Sequence, residues 1–350
     1  MNMDFDDLMF EAYDLPGGRA KIELLEEAVK LADSTGNVEQ GFEARFELVE
    51  AATFNGYPKK ALVNFSWLLG QFDKDPDSYD GYNLLWSYKW IIDKIACFPE
   101  ISRTQIDGLL EDMKKRYREH GYNDRTYYYY RMTLALQYGE LEEAGRFFRE
   151  IQAMDRDEMS DCAACEQDQF VKYYVLAGDD QRAIETAEPI LSDRMSCAEV
   201  PHVTYPQVLL PLYRQGRLQE AEKYQRQGYR LIKGERDFVL QISQHIAYLT
   251  KTDPVKGLEL FELHAPLALD HENPHDRMMF NAHASTLFKR LAAEPMNFEV
   301  RLPADFPYAD ESTDVERLSE RFRDMAVTAA RQFDERNGNR HYESFIDSFQ

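Results

Sequence analysis

The sequence predicts an all-α protein in which helical hairpins stack into an α-solenoid. Strand patterns are nearly absent, and apolar residues recur three and four positions apart through most of the 350 residues, as in IELLEEAVKLAD from Ile22 to Asp33. Turns that contain glycine return at a near-constant spacing, since Gly139, Gly178 and Gly216 are 39 and 38 residues apart. Such a spacing is typical of hairpins that bury their apolar faces only against neighbouring hairpins.

Each turn is followed by the same pattern of residue sizes. A small residue stands five positions after the glycine, and a larger residue usually stands four positions further on. The sets are Gly56, Ala61 and Phe65; Gly139, Ala144 and Phe148; Gly178, Ala183 and Ala187; and Gly216, Ala221 and Gln225. Glycine permits the positive φ of a tight turn, and a small residue lets two helices approach closely. A further turn near Thr252 continues the pattern with Gly257 and Phe261.

This pattern resembles the second helix of the tetratricopeptide-repeat family. The first helices carry fitting apolar residues, such as Tyr128, Met132 and Ala135, and the resemblance covers roughly Phe42 to Leu269. The repeats are longer than the roughly 34 residues typical of that family. The resemblance implies a right-handed solenoid with terminal capping helices. The chain also resembles a group of uncharacterised bacterial proteins of this type, through its cysteine-containing repeat and its ending FDERNGN, and that likeness implies no activity.

The same resemblance implies a groove lined by the first helix of each hairpin. By repeat phase, the residues on this partner groove are Glu43, Glu50, Tyr129, Asp168, Lys172 and Arg214. Such a groove is mixed in charge but net acidic, and it suits a peptide or protein segment with basic and apolar residues. Aromatic residues are concentrated in SYDGYNLLWSYKW and TYYYYR, where the helical pattern favours a bulky core with some rings left exposed.

The pattern of the sequence changes near residue 291. Residues 1–291 carry the repeats, with a helix from Met3 to Tyr13 that caps the first hairpin. Residues 292–350 begin with a proline-rich stretch that predicts a surface loop. A final helix then follows, with Asp314 as its cap and Gly338 as its stop, and we expect it to pack on the same solenoid.

Four side chains in two neighbouring repeats predict a metal site. Cys162 and Cys165 share one face of a helical turn, Cys197 follows Cys162 by 35 residues, and His202 follows Cys165 by 37 residues. Because these offsets nearly equal one repeat, the four side chains are expected to converge, and three thiolates with one imidazole form a complete structural Zn²⁺ set. Nearby carboxylates are alternative fourth ligands, namely Asp161, Glu166 and Glu199. Two other hypotheses stay open: thiols buried only for packing, and a redox-active dithiol.

Charge and motifs exclude several function classes. The net charge of −22 opposes binding to nucleic acids and to anionic membrane surfaces. No stretch is apolar enough to span a bilayer, and the acidic N-terminus is unlike a secretory signal, which favours a cytoplasmic protein. HExxH, phosphate-loop and GxSxG motifs are absent, so no enzyme is predicted. His271 and His275 flank Pro274, which favours a polar turn there over a metal site.

The function predicted from these observations is a non-catalytic scaffold that binds a protein or peptide, with a structural Zn²⁺ between adjacent repeats. A first alternative is a regulatory protein that senses a peptide and changes shape when the peptide binds. A zinc-dependent enzyme ranks third, because a shell of three cysteines and one histidine leaves no coordination position for a substrate.

Overall fold

The protein is entirely helical in the part that the structure, a computed structural model, describes, which is residues 3–348. Seventeen α-helices and three short 3₁₀ turns follow one another, and no strand occurs among these residues. The predicted all-α class is therefore confirmed. None of the helices in residues 3–348 is long and apolar enough to cross a membrane.

The helices form two compact units, residues 3–130 and residues 131–348. The helix α7, Arg125–Tyr138, crosses the boundary between them. The division that the sequence suggests between residues 291 and 292 lies inside the second unit. Each unit is therefore described by its own contacts.

The first unit consists of six helices and the beginning of α7. These helices are α1 (Phe5–Asp14), α2 (Arg19–Thr35), α3 (Val38–Phe54), α4 (Pro58–Phe72), α5 (Gly81–Ile95) and α6 (Arg103–Glu119). From α1 to α6, successive helices pack on one another, and α3 also packs on α5. The helix α1 begins at Phe5, two residues after the predicted start at Met3, because the Asp4 side chain accepts a hydrogen bond from the Asp7 amide in a capping box.

The second unit continues the hairpin order. Its helices are α8 (Leu141–Gln152), α9 (Ala163–Leu176), α10 (Asp180–Leu191), α11 (Thr204–Arg214), α12 (Leu218–Ile232), α13 (Val239–Thr252), α14 (Pro254–Leu269), α15 (Pro274–Ala292), α16 (Val315–Asn337) and α17 (His341–Asp347). The first helices α9, α11, α13 and α15 pack side by side. The helices α10, α12 and α14 each pack against the two first helices that flank them in the chain.

The turns of these hairpins have the geometry that the glycine pattern predicts. Gly139, Gly178 and Gly216 have φ of 74°, 72° and 71°, in the left-handed region that favours glycine. The small residues five positions later are fully buried, namely Ala144, Ala183 and Ala221. Their burial allows the two helices of each hairpin to approach closely.

The C-terminal segment contains one helix more than predicted. As expected, Asp314 is the N-cap of α16, where its side chain accepts a hydrogen bond from the Arg317 amide, and Gly338, whose φ is 72°, is the C-cap. The additional helix α17 is held by the Asp334 carboxylate of α16. This carboxylate accepts hydrogen bonds from the Tyr342 and Glu343 amides, each at 2.9 Å.

The beginning and the end of the second unit are in contact. The Asn339 side-chain amide donates a hydrogen bond to the Tyr138 carbonyl at 2.7 Å. The His341 ring lies so close to the α7–α8 turn that a Cβ added to Gly139 would be 2.2 Å from its Nδ1 atom. The turn between α16 and α17 therefore packs on the first turn of the unit.

Candidate metal centre

Three cysteines of the second unit meet at the start of α9. Cys162 is the N-cap residue of that helix, Cys165 lies in its first turn, and Cys197 comes from the loop between α10 and α11. The Sγ atoms of Cys162 and Cys165 are 2.9 Å apart, and those of Cys165 and Cys197 are 3.4 Å apart. All three sulfurs lie within 4.8 Å of one another, and no second set of three potential metal ligands is this tight in residues 3–348.

Local backbone geometry positions the thiols. The Cys165 amide donates to the Cys162 Sγ at 3.2 Å, in the place that a polar side chain takes at a helix N-terminus. In the loop, the Cys197 amide donates to the Val200 carbonyl at 3.0 Å. Val200 is buried with Ala164 and Ile190 in a small apolar cluster on which the three thiols pack. Apolar contacts thus bring the loop to the helix end.

Without a bound cation, the electrostatics of the cluster favour neutral thiols. Burial, followed by the hydrogen bonds with Cys162 and Cys197, raises the pKa of the Cys165 thiol above its ordinary value. Three adjacent thiols cannot all ionise without a compensating positive charge, whereas a metal ion both displaces their protons and supplies that charge. Three sulfur donors within 4.8 Å fit a thiophilic ion such as Zn²⁺.

His202 does not belong to this group of close ligand atoms. Its ring is stacked on Phe238, with centroids 5.7 Å apart and planes at 16°. Its Nδ1 atom is buried and has no hydrogen-bond partner in the described part of the chain. The structure therefore brings together three of the four predicted metal residues, and His202 as the fourth ligand stays a prediction.

The carboxylates near the thiols have other positions or partners. Glu166 is 3% exposed and forms an ion pair with Arg156 at 2.5 Å. Asp161 accepts a hydrogen bond from the Cys162 amide at 3.3 Å, and Glu199 is exposed in the loop. None of these carboxylates joins the three sulfurs in the group of ligand atoms within 4.8 Å.

Asp168, predicted on the partner groove, is instead buried between α9 and α11. Its side chain is 2% exposed and accepts hydrogen bonds from Thr204 Oγ1 at 2.6 Å and Gln207 Nε2 at 2.8 Å. Burial raises the pKa of Asp168 to about 6. The groove prediction is wrong for this residue, because α11 packs on the face of α9 that carries it.

The other residues predicted on the partner groove differ in exposure. Tyr129 is buried, so its side chain does not line an open surface either. Lys172 is half-buried on α9, and Arg214 is exposed and forms a bidentate ion pair with Asp180 at 2.6 Å. Glu43 and Glu50 are exposed on α3 of the first unit. Of the predicted set, these two acids are the exposed members that form no ion pair with any residue the structure describes.

The two acids belong to a larger surface of the first unit, here called the α3–α5 face. On α3 its members share one helical face: Glu43, Glu47, Glu50 and Phe54; on α5 they are Tyr82, Trp86 and Trp90. The Phe54 and Trp90 ring centroids are 5.6 Å apart, which joins the two helices. Phe54 and Tyr82 are 46% and 43% exposed. The sequence pattern identified the aromatic stretch of α5, but not its contact with Phe54.

The histidines near Pro274 also differ from the prediction. Pro274 is the first residue of α15 rather than part of a turn, a position at which proline needs no amide hydrogen. Asp276 lies between two imidazoles, with Oδ2 3.4 Å from His271 Nε2 and Oδ1 3.1 Å from His275 Nδ1. Although Asp276 is buried, these two contacts lower its pKa. The contacts lie at the start of α15, and the three residues are not among the close groups of potential metal ligands in the described residues.

Comparison with known proteins gives no further assignment. No protein-family model matches the chain, and no curated protein is significantly similar to it. The tetratricopeptide resemblance therefore stays a prediction from the sequence. Two features of the described residues offer chemistry that a binding protein uses: the three thiols of the second unit and the α3–α5 face of the first.

Proposed function

We propose that the protein is a non-catalytic scaffold that binds a basic and partly apolar peptide or protein segment on the α3–α5 face. We further propose that Zn²⁺ on Cys162, Cys165 and Cys197 strengthens the second unit. The observation that carries the first proposal is a row of carboxylates beside exposed aromatic rings. In this proposal the hairpins form the right-handed solenoid of tetratricopeptide proteins, and the protein acts in the cytoplasm, where thiols stay reduced.

The charges of the α3–α5 face favour a cationic ligand. Neither Glu43 nor Glu50 forms an ion pair in the described part of the chain. Burial, followed by the negative charge of Glu50, raises the pKa of Glu47, and Lys21 offsets only part of this effect. A lysine or arginine side chain bound beside these carboxylates would relieve their mutual repulsion.

The aromatic rings supply apolar contact area for the same ligand. Phe54 and Tyr82 expose nearly half of their surface, and Trp90 is half-buried against Phe54. Aromatic side chains anchor many protein interfaces because they cover a large area and lose little conformational entropy. The faces of aromatic rings also attract cations, and the Lys89 ammonium group lies over the Trp86 ring in this way.

The proposed Zn²⁺ links two hairpins of the second unit. Cys162 and Cys165 belong to the start of α9, whereas Cys197 belongs to the loop before α11. A metal held by both pieces adds its binding free energy to the stability of the folded unit, because the unfolded chain has no preformed site.

A titration with two labelled peptides tests the peptide proposal. The peptides share the same apolar residues, but one carries lysine and arginine and the other carries aspartate and glutamate. Fluorescence anisotropy with the full-length protein is expected to show binding of the basic peptide and an affinity that falls with added salt. Equal binding of both peptides, or of neither, would overturn the proposal.

Matched variants locate the binding surface. The double variant Glu43→Gln, Glu50→Gln is expected to weaken binding of the basic peptide about threefold to tenfold, and Phe54→Ala about tenfold. The control Glu259→Gln, Glu320→Gln removes the same net charge from exposed positions of the second unit. Because the net charge is matched, a loss of affinity in the first double variant alone assigns binding to the α3–α5 face.

A further inference from the structure

We propose that the metal on Cys162, Cys165 and Cys197 has three protein ligands and an open fourth position, which takes a thiolate from outside the chain. This inference rests on the proposed metal binding and adds the class of the external ligand. The external thiolate is that of a small thiol or of a cysteine side chain on a partner. The site would then be an exchangeable one at the surface rather than a closed structural one.

The position of the thiols leaves one side of the cluster open. Their inner side packs on Ala164, Ile190 and Val200, which are almost completely buried. The three cysteines themselves are only partly buried. Each cysteine is therefore partly exposed to solvent, from which an external ligand can approach a metal held there.

The nearby donor side chains lie outside the close group of sulfurs. His202 is stacked on Phe238 and lies outside the group of ligand atoms within 4.8 Å. Glu166 is buried in its ion pair with Arg156, and Asp161 accepts a hydrogen bond from the Cys162 amide. Glu199 extends from the exposed part of the loop. The sulfur triangle is thus the complete set of close donors in the described residues.

Coordination chemistry selects the external ligand. Closed structural zinc sites use four protein ligands, whereas sites with three protein ligands keep a fourth position for a water or another molecule. Binding of Zn²⁺ to three thiols releases three protons and leaves a complex of net charge −1. An external thiol then replaces the water, loses its proton and adds a fourth sulfur. A metal that already has three sulfur ligands prefers a soft fourth donor.

Cobalt(II) as a spectroscopic probe tests this arrangement in the full-length protein. One Co²⁺ per chain is expected, with intense tetrahedral d–d bands and a sulfur-to-metal charge-transfer band. Adding 2-mercaptoethanol is expected to shift the d–d bands while Co²⁺ stays with the protein through gel filtration. X-ray absorption of the zinc form is expected to show three sulfur neighbours and one lighter neighbour without the thiol, and four sulfur neighbours with it.

Variants separate an open site from a closed one. His202→Ala and the milder His202→Gln are expected to leave the cobalt spectrum unchanged, as is the exposed control His120→Ala. A spectrum that changes in both His202 variants, or one that does not respond to 2-mercaptoethanol, would overturn the open position and leave the proposed metal binding intact. Failure of wild type to bind Co²⁺ or Zn²⁺ would overturn both the open position and the proposed metal binding. Loss of metal binding in Cys165→Ser, but not in the histidine variants, would support the sulfur triangle.

Discussion

A buried histidine in the core of the second unit predicts that this unit is sensitive to acid. His245 of α13 is fully buried, and neither of its ring nitrogens has a hydrogen-bond partner among residues 3–348. It packs against the Tyr229 ring, at 6.0 Å between centroids, and next to Gly228 of α12. Burial lowers the pKa of His245 from 6.5 to about 3, because a charged imidazole has no solvation there.

The direction and size of the effect follow from this pKa. Between pH 6.5 and pH 3 the unfolded chain binds a proton at His245 and the folded chain does not, so stability falls as the pH falls through this range. One pKa unit corresponds to about 1.4 kcal/mol, so lowering the pH from 7 to 5 is expected to cost about 2 kcal/mol from this residue alone. Burial also lowers the pKa values of His264 and His283 to about 4, which adds to the loss.

The variant His245→Leu isolates this contribution. It removes the titrating group, so its free energy of unfolding is expected to fall about 2 kcal/mol less than that of wild type between pH 7 and pH 5. Any cost of repacking around the leucine is present at both pH values and cancels in the comparison. Chemical unfolding followed by tyrosine and tryptophan fluorescence, or hydrogen exchange of α13 amides, measures the difference.

The exposed histidine His120 of the first unit provides the control, because His120→Leu removes an imidazole that is not buried. Its pH dependence is expected to match that of wild type. If His245→Leu also follows the wild-type curve between pH 7 and pH 5, the His245 ring titrates in the folded protein, and the argument from its burial is refuted.

Two further changes test the packing of the second unit. Gly139→Ala is expected to lower the free energy of unfolding by at least about 2 kcal/mol more than Gly178→Ala, because both glycines have positive φ but only at Gly139 would the new Cβ collide with His341. Chemical unfolding measures both variants, and equal losses would contradict the contact. The free energy of unfolding of Asp168→Asn is expected to gain about 2.4 kcal/mol relative to that of wild type between pH 4 and pH 7, because the raised pKa of about 6 makes the buried carboxyl costly once it ionises. Parallel pH–stability curves for the two proteins would contradict that prediction.

The features that the sequence predicts well depend on local periodicity. The spacing of the turn glycines specifies where hairpins begin, and the structure has left-handed turns at Gly139, Gly178 and Gly216. The same stride predicts that Cys197 lies beside Cys162 and Cys165, and the structure brings the three sulfurs together. A helical repeat allows such inferences because each residue's face and its neighbour one repeat away follow from its position.

The features that the sequence predicts poorly depend on contacts that cannot be inferred from periodicity. Asp168 has the phase of a groove residue, but hydrogen bonds to α11 hold it inside. His202, whose role as the fourth ligand stays a prediction, lies in a loop, where the path of the chain follows individual contacts such as the stacking on Phe238. The helix α17 depends on the Asp334 carboxylate, which accepts hydrogen bonds from amides eight and nine residues further along the chain. Because this distance is longer than a local capping pattern, the sequence does not predict α17.

The two proposed sites lie in different units, and one variant therefore distinguishes a passive scaffold from a regulator. Cys165→Ser removes the central sulfur of the triangle, which lies within 3.4 Å of both other sulfurs, and is expected to abolish Zn²⁺ binding and lower the stability of the second unit. In a passive scaffold, the affinity of the basic peptide for the α3–α5 face stays the same in this variant, because the face and the three thiols belong to different units. In a regulator that changes shape, linkage requires that peptide affinity and Zn²⁺ affinity change each other by the same factor. Anisotropy titrations of wild type with and without Zn²⁺, and of Cys165→Ser at a temperature where it stays folded, measure that factor. A value clearly different from one would refute the passive scaffold.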